Sequence, residues 1–440
     1  MPFLETDREL ARHSYYAATA PRQQAWPALA PGAHRCDVAV VGAGFAGLTA
    51  AIELRQRGLD VVLLEGQEVG SGASGRNGGQ AIYGLACDIA AIEGELGLDD
   101  ARRVFAMTLE AVDDMRRRIR EFGIDCDWRD GHLAVATSAR KARALHDEVE
   151  QHATRYDHPM TWIERADLPQ WIASPRYVAG AHDTRSGHLH PLRYALGLAR
   201  AADAMGVRVH EGSVVSRIAR DGDGVTLTTT AAASLHARHV LLAGNVYLDA
   251  LAPALAPRLG ARVMPVGTYI VSSRALAPEQ AKALIPCGAA VCDNNFVLDY
   301  FRTTADHRML YGGRVSYSTR TPMSVAGSMV ARMTKTFPQL RGVEAEFAWG
   351  GFVDISMSRA PDFGRLAEYG DRVYYLQGFS GHGVALTGLA GKLVAEAIAG
   401  DATRFDVFAR LQHHAFPGGR ALRTPALVLG MAYYRLKDLL

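Results

Sequence analysis

Two glycine-rich clusters, far apart in the chain, hold the residues best placed to do chemistry. The first is Gly42-Ala43-Gly44-Phe45-Ala46-Gly47, between an apolar run and a helical stretch. In a strand–turn–helix setting, Gly42 permits the tight turn, Gly44 lets backbone approach a pyrophosphate, and Gly47 lets helix and strand pack closely. The diphosphate then sits on free N–H groups at the positive end of the helix. Glu65 follows Gly42 by 23 residues, at the end of a second apolar run. It is the residue type and the place that would accept the hydroxyls of an adenosine ribose.

After Glu65-Gly66 the chain runs Gly70-Ser71-Gly72-Ala73-Ser74-Gly75-Arg76-Asn77-Gly78-Gly79-Gln80. Five glycines in eleven residues are too flexible for a helix or strand unless a ligand orders them. So bare a loop lets backbone approach a flat cofactor, which favours FAD over NAD. The second cluster, Gln377-Gly378-Phe379-Ser380-Gly381-His382-Gly383-Val384, opens an Ala-rich helix. A helix N-terminus there would stabilise negative charge on a reduced flavin pyrimidine ring. His382 either adds charge beside the flavin or fills space in a Gly-rich turn.

These clusters need elements to hold them. Val38-Ala39-Val40-Val41, a helix to about Arg57 and Val61 to Leu64 make a βαβ unit. Phe105, Leu109, Val112, Met115, Ile119 and Phe122 recur at spacings of three and four, the period of an amphipathic helix over 99–122. Further helices are expected at about 139–155 and 192–205, with strands at 131–136, 177–181, 208–210, 214–218, 225–229 and 239–243. Residues 262–350 read as strand after strand (264–272, 296–303, 309–315, 346–352), an antiparallel sheet. Val373 to Leu376 returns as a buried strand, followed by a helix over Val384 to Ala399. Residues 1–35, with prolines at 21, 27 and 31, read as an irregular arm packed on the body.

Composition narrows the class. The 440 residues are 48% apolar and 21% charged with a net charge of +2, an ordinary globular balance. Only 5 of the 48 basic residues are Lys, and no basic stripe points to nucleic acid. Five scattered cysteines without a C-x-x-C pair argue against a disulfide framework or a metal site, and fit a reducing cytoplasm. The acidic N-terminus is unlike a secretory signal, and the longest apolar stretch, 38–52, is too short to span a bilayer.

Taken together, Val38 to Gly47, Glu65, Ala73 to Gln80, Leu242-Ala243-Gly244-Asn245 and Gly378 to Gly383 resemble the D-amino-acid-oxidase-like FAD oxidoreductases, the group that includes glycine oxidase and sarcosine oxidase. Within that group, Ser14-Tyr15-Tyr16-Ala17, Leu298 to Arg302, Tyr311 to Arg314, Trp349-Gly350-Gly351, Phe416 to Gly419 and Leu422 to Pro425 are similar to the gamma-glutamylputrescine oxidases. Bacterial L-pipecolate oxidases share much of the pattern. The resemblance implies a discontinuous Rossmann-like FAD-binding domain (36–92, 183–260, 349–415) and an antiparallel-sheet substrate domain (93–182, 261–348), with 1–35 as an arm and 416–440 as a tail. It implies that Val214 or Val215 meets the adenine through backbone, and that Ala243, Gly244 and Asn245 pass close to the adenosine and pyrophosphate.

The implied activity is oxidation of a C–N bond in a small amine or amino acid. Hydride passes to flavin N5, the product is an aldehyde with ammonia, and oxygen is reduced to hydrogen peroxide. Tyr269, Tyr300, Arg302, Arg314, Trp349, Met357 and His382 are the candidate substrate-pocket residues. Sarcosine oxidases bind FAD through a Cys following the region of Trp349 and use a Lys near 309–313. Here 349–363 contain no Cys and 300–320 no Lys, so the FAD is expected to be non-covalent and oxygen reactivity does not carry over from that relative. Two other readings stand beside this one: a dehydrogenase passing electrons to a quinone, its tail 427–440 against a membrane surface, and a non-catalytic or NAD-linked nucleotide-binding protein.

Overall fold

The structure is a computed structural model that describes residues 2–295, 297–316 and 325–419. Two large sheets organise it. The first has eight strands in the order Asp362–Arg365, Val373–Gln377, Ala233–Leu242, Gly32–Val41, Val61–Leu64, Arg208–His210. The hairpin Val215–Asp221/Gly224–Thr229 pairs onto Ala233–Leu242. Its central pairings are parallel, with Val38 to Val41 between Val61 to Leu64 on one side and His239 to Leu242 on the other.

Both faces of this sheet are covered, which is why its central strands read as unbroken apolar runs. Val38, Val40, Val61 and Leu63 pack with the helices Phe45–Gln56, Leu98–Glu121, Pro191–Ala204 and Leu386–Ile398. Ala39, Val41, Val62 and Leu64 pack instead under the hairpin residues Ile218, Val225 and Leu227.

The second sheet has nine strands. Its order is Ala345–Ser356, Val263–Ser273, Met309–Ser316, Tyr300–Thr303, Ala290–Asp293, Arg129–Ala136, Ala179–His188, Gln80–Ala81, with Thr161–Ile163 beside Ala179–His188. All pairings are antiparallel except Ala290–Asp293 with Arg129–Ala136. Tyr269, Val271, Phe301, Tyr311 and Phe352 on one face join Met329, Met333 and Phe337 in a core of their own. The opposite face carries Ile270, Leu310 and Trp349, packed with Tyr15 and Tyr16 of the N-terminal segment.

The structure departs from the sequence expectations in several places. The N-terminal segment is helical over Pro2–Ala11 and Tyr15–Thr19 before it becomes irregular, and the buried Tyr15, Tyr16 and Trp26 anchor it. The strand expected over 296–303 spans Tyr300–Thr303, and Phe296 lies outside the described residues. The helix expected from Val384 begins at Leu386. Residues 183–188 and 349–356, assigned by sequence to the cofactor domain, are strands of the nine-stranded sheet. The tail 420–440 lies outside the described residues. Just before it, Phe416 packs on Met264 and Val266.

Candidate functional site

A cleft opens at the carboxyl ends of the parallel strands, the place where such sheets bind ligands. Gly42 ends the first strand at a φ of 109°, a conformation open to glycine, and a Cβ there would lie 2.7 Å from the Ala243 carbonyl oxygen. At Gly47 the helix runs against the turn so closely that a side chain would collide with the Gly42 carbonyl. The helix Phe45–Gln56 starts facing the cleft without a side-chain cap from Gly44, and Ser74 Oγ accepts the Phe45 N–H at 3.0 Å.

Glu65 lies at the cleft wall. Its Oε2 accepts the Ala43 N–H at 2.7 Å and its Oε1 the Gln67 N–H at 2.8 Å. Burial raises its pKa, with the nearby Glu211 adding to the effect and the backbone N–H groups opposing it. With no ion pair among the described residues, its remaining lone pairs suit neutral hydroxyl donors. A glycine turn at a helix N-terminus, followed by an acceptor carboxylate, fits a dinucleotide.

Of the sequence-derived cofactor residues, Gly42, Gly44, Phe45, Ala46, Glu65, Gly66, Ser74, Asn77, Val214, Val215, Ala243, Gly244, Asn245, Gly381, Gly383 and Val384 line this cleft. Gly47, Gly75, Arg76, Gly78, Gly79, Gln80 and His382 do not. The loop 70–80, which lines the cleft through Gly70 to Ser74 and Asn77, is also braced by protein contacts. Asn77 Nδ2 donates to the carbonyls of Ala73 and Ser74, and its Oδ1 accepts the Gly79 N–H. Arg76 turns away from the cleft and forms a buried bidentate pair with Asp7 at 2.8 and 2.9 Å, which ties the N-terminal helix to the loop. Gln80 is in the sheet, its Nε2 donating to the Val291 carbonyl at 3.0 Å.

The substrate candidates separate in space. Tyr300 lies flat across Gly312, and a Cβ at Gly78 would approach its ring to 2.6 Å, so it is sandwiched between the sheet and the Gly-rich loop. Trp349 shares that sheet face and donates from Nε1 to the Arg76 carbonyl at 3.0 Å. Tyr269 points to the opposite face, into the core with Met329 and Met333. Arg302 is buried, and its guanidinium donates to the carbonyls of Gly78 and Leu189, both at 2.9 Å, and to Tyr16 Oη at 3.2 Å. Arg302 therefore clamps the loop. Met357 is 48% exposed just beyond the strand end. The Arg314 side chain lies outside the described residues.

His382 differs from the expectation of a cation. Its Nε2 lies 2.7 Å from the Tyr83 carbonyl, which can only accept, so the proton sits on Nε2 and Nδ1 is left as an acceptor. Burial lowers its pKa, with Arg359 adding to the effect, so the ring is neutral at pH 7. It also stands four residues before the helix, in the turn that leads to it.

The sequence reading missed several residues of the cleft wall, among them Tyr247, Val353, Asp354 and Thr387. For Asp354 a signal existed, because an acid within the apolar strand run Gly351 to Ser356 is a buried charge that needs a reason. Nothing in the local pattern marks Tyr247 or Thr387.

Comparison with known proteins bears on the site as a whole. Residues 37–397 match the family described as DAO, FAD dependent oxidoreductase. Over 425 residues, 97% of this chain and 98% of the relative, the chain is 42% identical to the Gamma-glutamylputrescine oxidoreductase of Escherichia coli. It is 38% identical to a Probable oxidoreductase OrdL of Haemophilus influenzae over 97% of each. Among solved structures, glycine oxidase from Geobacillus kaustophilus superposes with a TM-score of 0.71 at 24% identity, covering 87% of this chain and all of that one.

Proposed function

The chain belongs to the DAO family of FAD-dependent oxidoreductases, and from that premise we propose that it oxidises the primary amine of a gamma-glutamylated or free polyamine, gamma-glutamylputrescine first among them. The observation that carries the substrate reading is the 42% identity, spread over nearly the whole of both chains, to a relative named for that compound. When bound, FAD supplies an acceptor for the hydride on the carbon beside the nitrogen.

In this reading the residues of the chain bind, orient and exclude water. The turn Gly42 to Gly47 and the helix behind it hold the diphosphate, and Glu65 holds the ribose hydroxyls. Tyr300 and Trp349, packed between the substrate sheet and the loop 70–80, set the spacing of the two where an extended methylene chain would enter. His382 Nδ1 accepts a hydrogen bond from the substrate nitrogen, which binds as the neutral amine, so no dedicated base is required. Water then releases the oxidised product as an aldehyde and ammonia. The FAD is held non-covalently, in keeping with the absence of Cys from 349–363. A reducing cytoplasm is the assigned compartment, supported by five free cysteines. No helix among the described residues is long and apolar enough to cross a membrane.

Anaerobic mixing of the purified flavoprotein with gamma-glutamylputrescine, putrescine, L-pipecolate and sarcosine tests the substrate. Bleaching of the flavin band should be fastest with the first. Faster bleaching by L-pipecolate or sarcosine than by any polyamine derivative would overturn the reading. The same assay in air identifies the acceptor: one hydrogen peroxide per turnover marks oxygen, and turnover that depends on added quinone marks a dehydrogenase.

A further inference from the structure

The strand Ala345–Ser356 belongs to the nine-stranded sheet, yet its Asp354 is buried in the wall of the cofactor cleft. Asp354 Oδ2 accepts the backbone N–H groups of Gly378 and of Phe379, the latter at 3.2 Å, and its carbonyl accepts the Ser380 N–H at 2.8 Å. The Asn245 side chain lies beside the carboxylate and favours its charged form.

These partners sit in two turns that follow neighbouring parallel strands, Ala233–Leu242 and Val373–Gln377. Each turn holds a non-glycine residue in the left-handed region, Asn245 at a φ of 52° and Ser380 at 53°. Such backbone costs free energy and persists only where its surroundings over-determine it. Together the turns supply Ala243, Gly244, Asn245, Phe379 and Gly381 to the cleft. The same strand reaches a third cleft segment through Trp349 Nε1, which donates to Arg76 in the loop 70–80.

We propose that Asp354 is a positioning residue for the cofactor: from the substrate sheet, its carboxylate holds both left-handed turns in the shape that receives FAD. The proposal rests on the FAD reading of the cleft. A carboxylate suits the task because it is acceptor-only, with lone pairs enough for two N–H groups and an amide at once. An amide at this position could keep its oxygen on the two N–H groups, but its own donor would then face the Asn245 amide.

The test uses the full chain stripped of flavin and titrated with FAD, read by quenching of flavin fluorescence, with the urea midpoint of the apo form measured in parallel. Asp354→Asn should weaken FAD binding tenfold or more while the apo midpoint stays at the wild-type value, because an isosteric neutral group relieves a buried charge. FAD affinity within twofold of wild type, or an apo midpoint that falls in step with affinity, would overturn the proposal. Should Asp354→Asn fail to fold, Asn245→Ala removes one neutral donor from the same network. It should weaken FAD at least threefold, and unchanged affinity there would equally overturn it. Failure of the wild-type apo chain to bind FAD would instead sink the cofactor reading, and the proposal with it.

Discussion

His382 shows how far a residue type can mislead before its neighbours are known. An imidazole beside a flavin invites the role of a cation that stabilises the reduced ring. The Tyr83 carbonyl fixes the proton on Nε2, and burial keeps the ring neutral, so no full charge is there to lose. His382→Ala is therefore expected to leave the reduction potential of the bound flavin unchanged while the rate of reduction by amine falls, through loss of the Nδ1 acceptor. Dye-coupled potentiometry and anaerobic stopped flow separate the two quantities. A potential that drops in the variant would restore the cationic role. Arg76 and Arg302 carry the same lesson. Both stand in or beside the Gly-rich loop, and both are held by protein partners, Asp7 for one and the Gly78 and Leu189 carbonyls for the other.

At the scale of elements, the helix Phe45–Gln56 decides most of the cleft geometry. Residues Phe45 to Leu54 are all buried, because the helix is wedged between the eight-stranded sheet and the helices Pro191–Ala204 and Leu386–Ile398. Its lack of an amphipathic stripe follows from that position. The closest approach to Leu386–Ile398 is at Gly391, where a Cβ would press on the Ala46 carbonyl and come within 2.7 Å of the Ala50 nitrogen. Gly391→Ala should destabilise the fold by about 1–3 kcal/mol through overpacking. Because Ala46 and Thr387 line the cleft from these two helices, FAD affinity should fall as well. A urea titration and an FAD titration of the same variant check both effects, and an unchanged urea midpoint would show that the helices can part without cost.

For the molecule as a whole, buried ionisable groups set the response to acid. Burial holds His132 and His152 down to about 4, and His188 and His190 to about 3. A folded-state pKa below the unfolded value contributes stability that is present above pH 6.5 and lost as pH falls toward the folded value. Asp293 and Asp354 act in the opposite sense. Burial pushes each up to about 6, so their contribution is present below the ordinary carboxylate range and lost as pH rises through 6. Near pH 5 four imidazoles favour protonation of the unfolded chain and two carboxylates favour protonation of the folded one. The imidazoles outnumber the carboxylates, so stability falls as pH drops through this range. The urea midpoint should accordingly be clearly lower at pH 5 than at pH 7, and equal midpoints would refute the balance.

Local rules were enough for the parts of this protein in which chemistry and chain direction coincide. The strand–turn–helix around Gly42 to Gly47, the acid at 65 and the period of the helix Leu98–Glu121 are set by neighbours within a few turns, and the chain states them outright. The family pattern was legible for the same reason, since its glycines answer to backbone geometry. Tertiary structure alone decided which way the polar side chains face. Whether Tyr269 or Trp349 fronts the loop depends on strand register, because successive residues of a strand point to opposite faces. That Asp354 of one sheet braces two turns of the other depends on contacts between segments more than a hundred residues apart in one case, Asn245, and about 25 in the other, Gly378 to Ser380. No periodicity records such a meeting, since it exists only once the two sheets have packed.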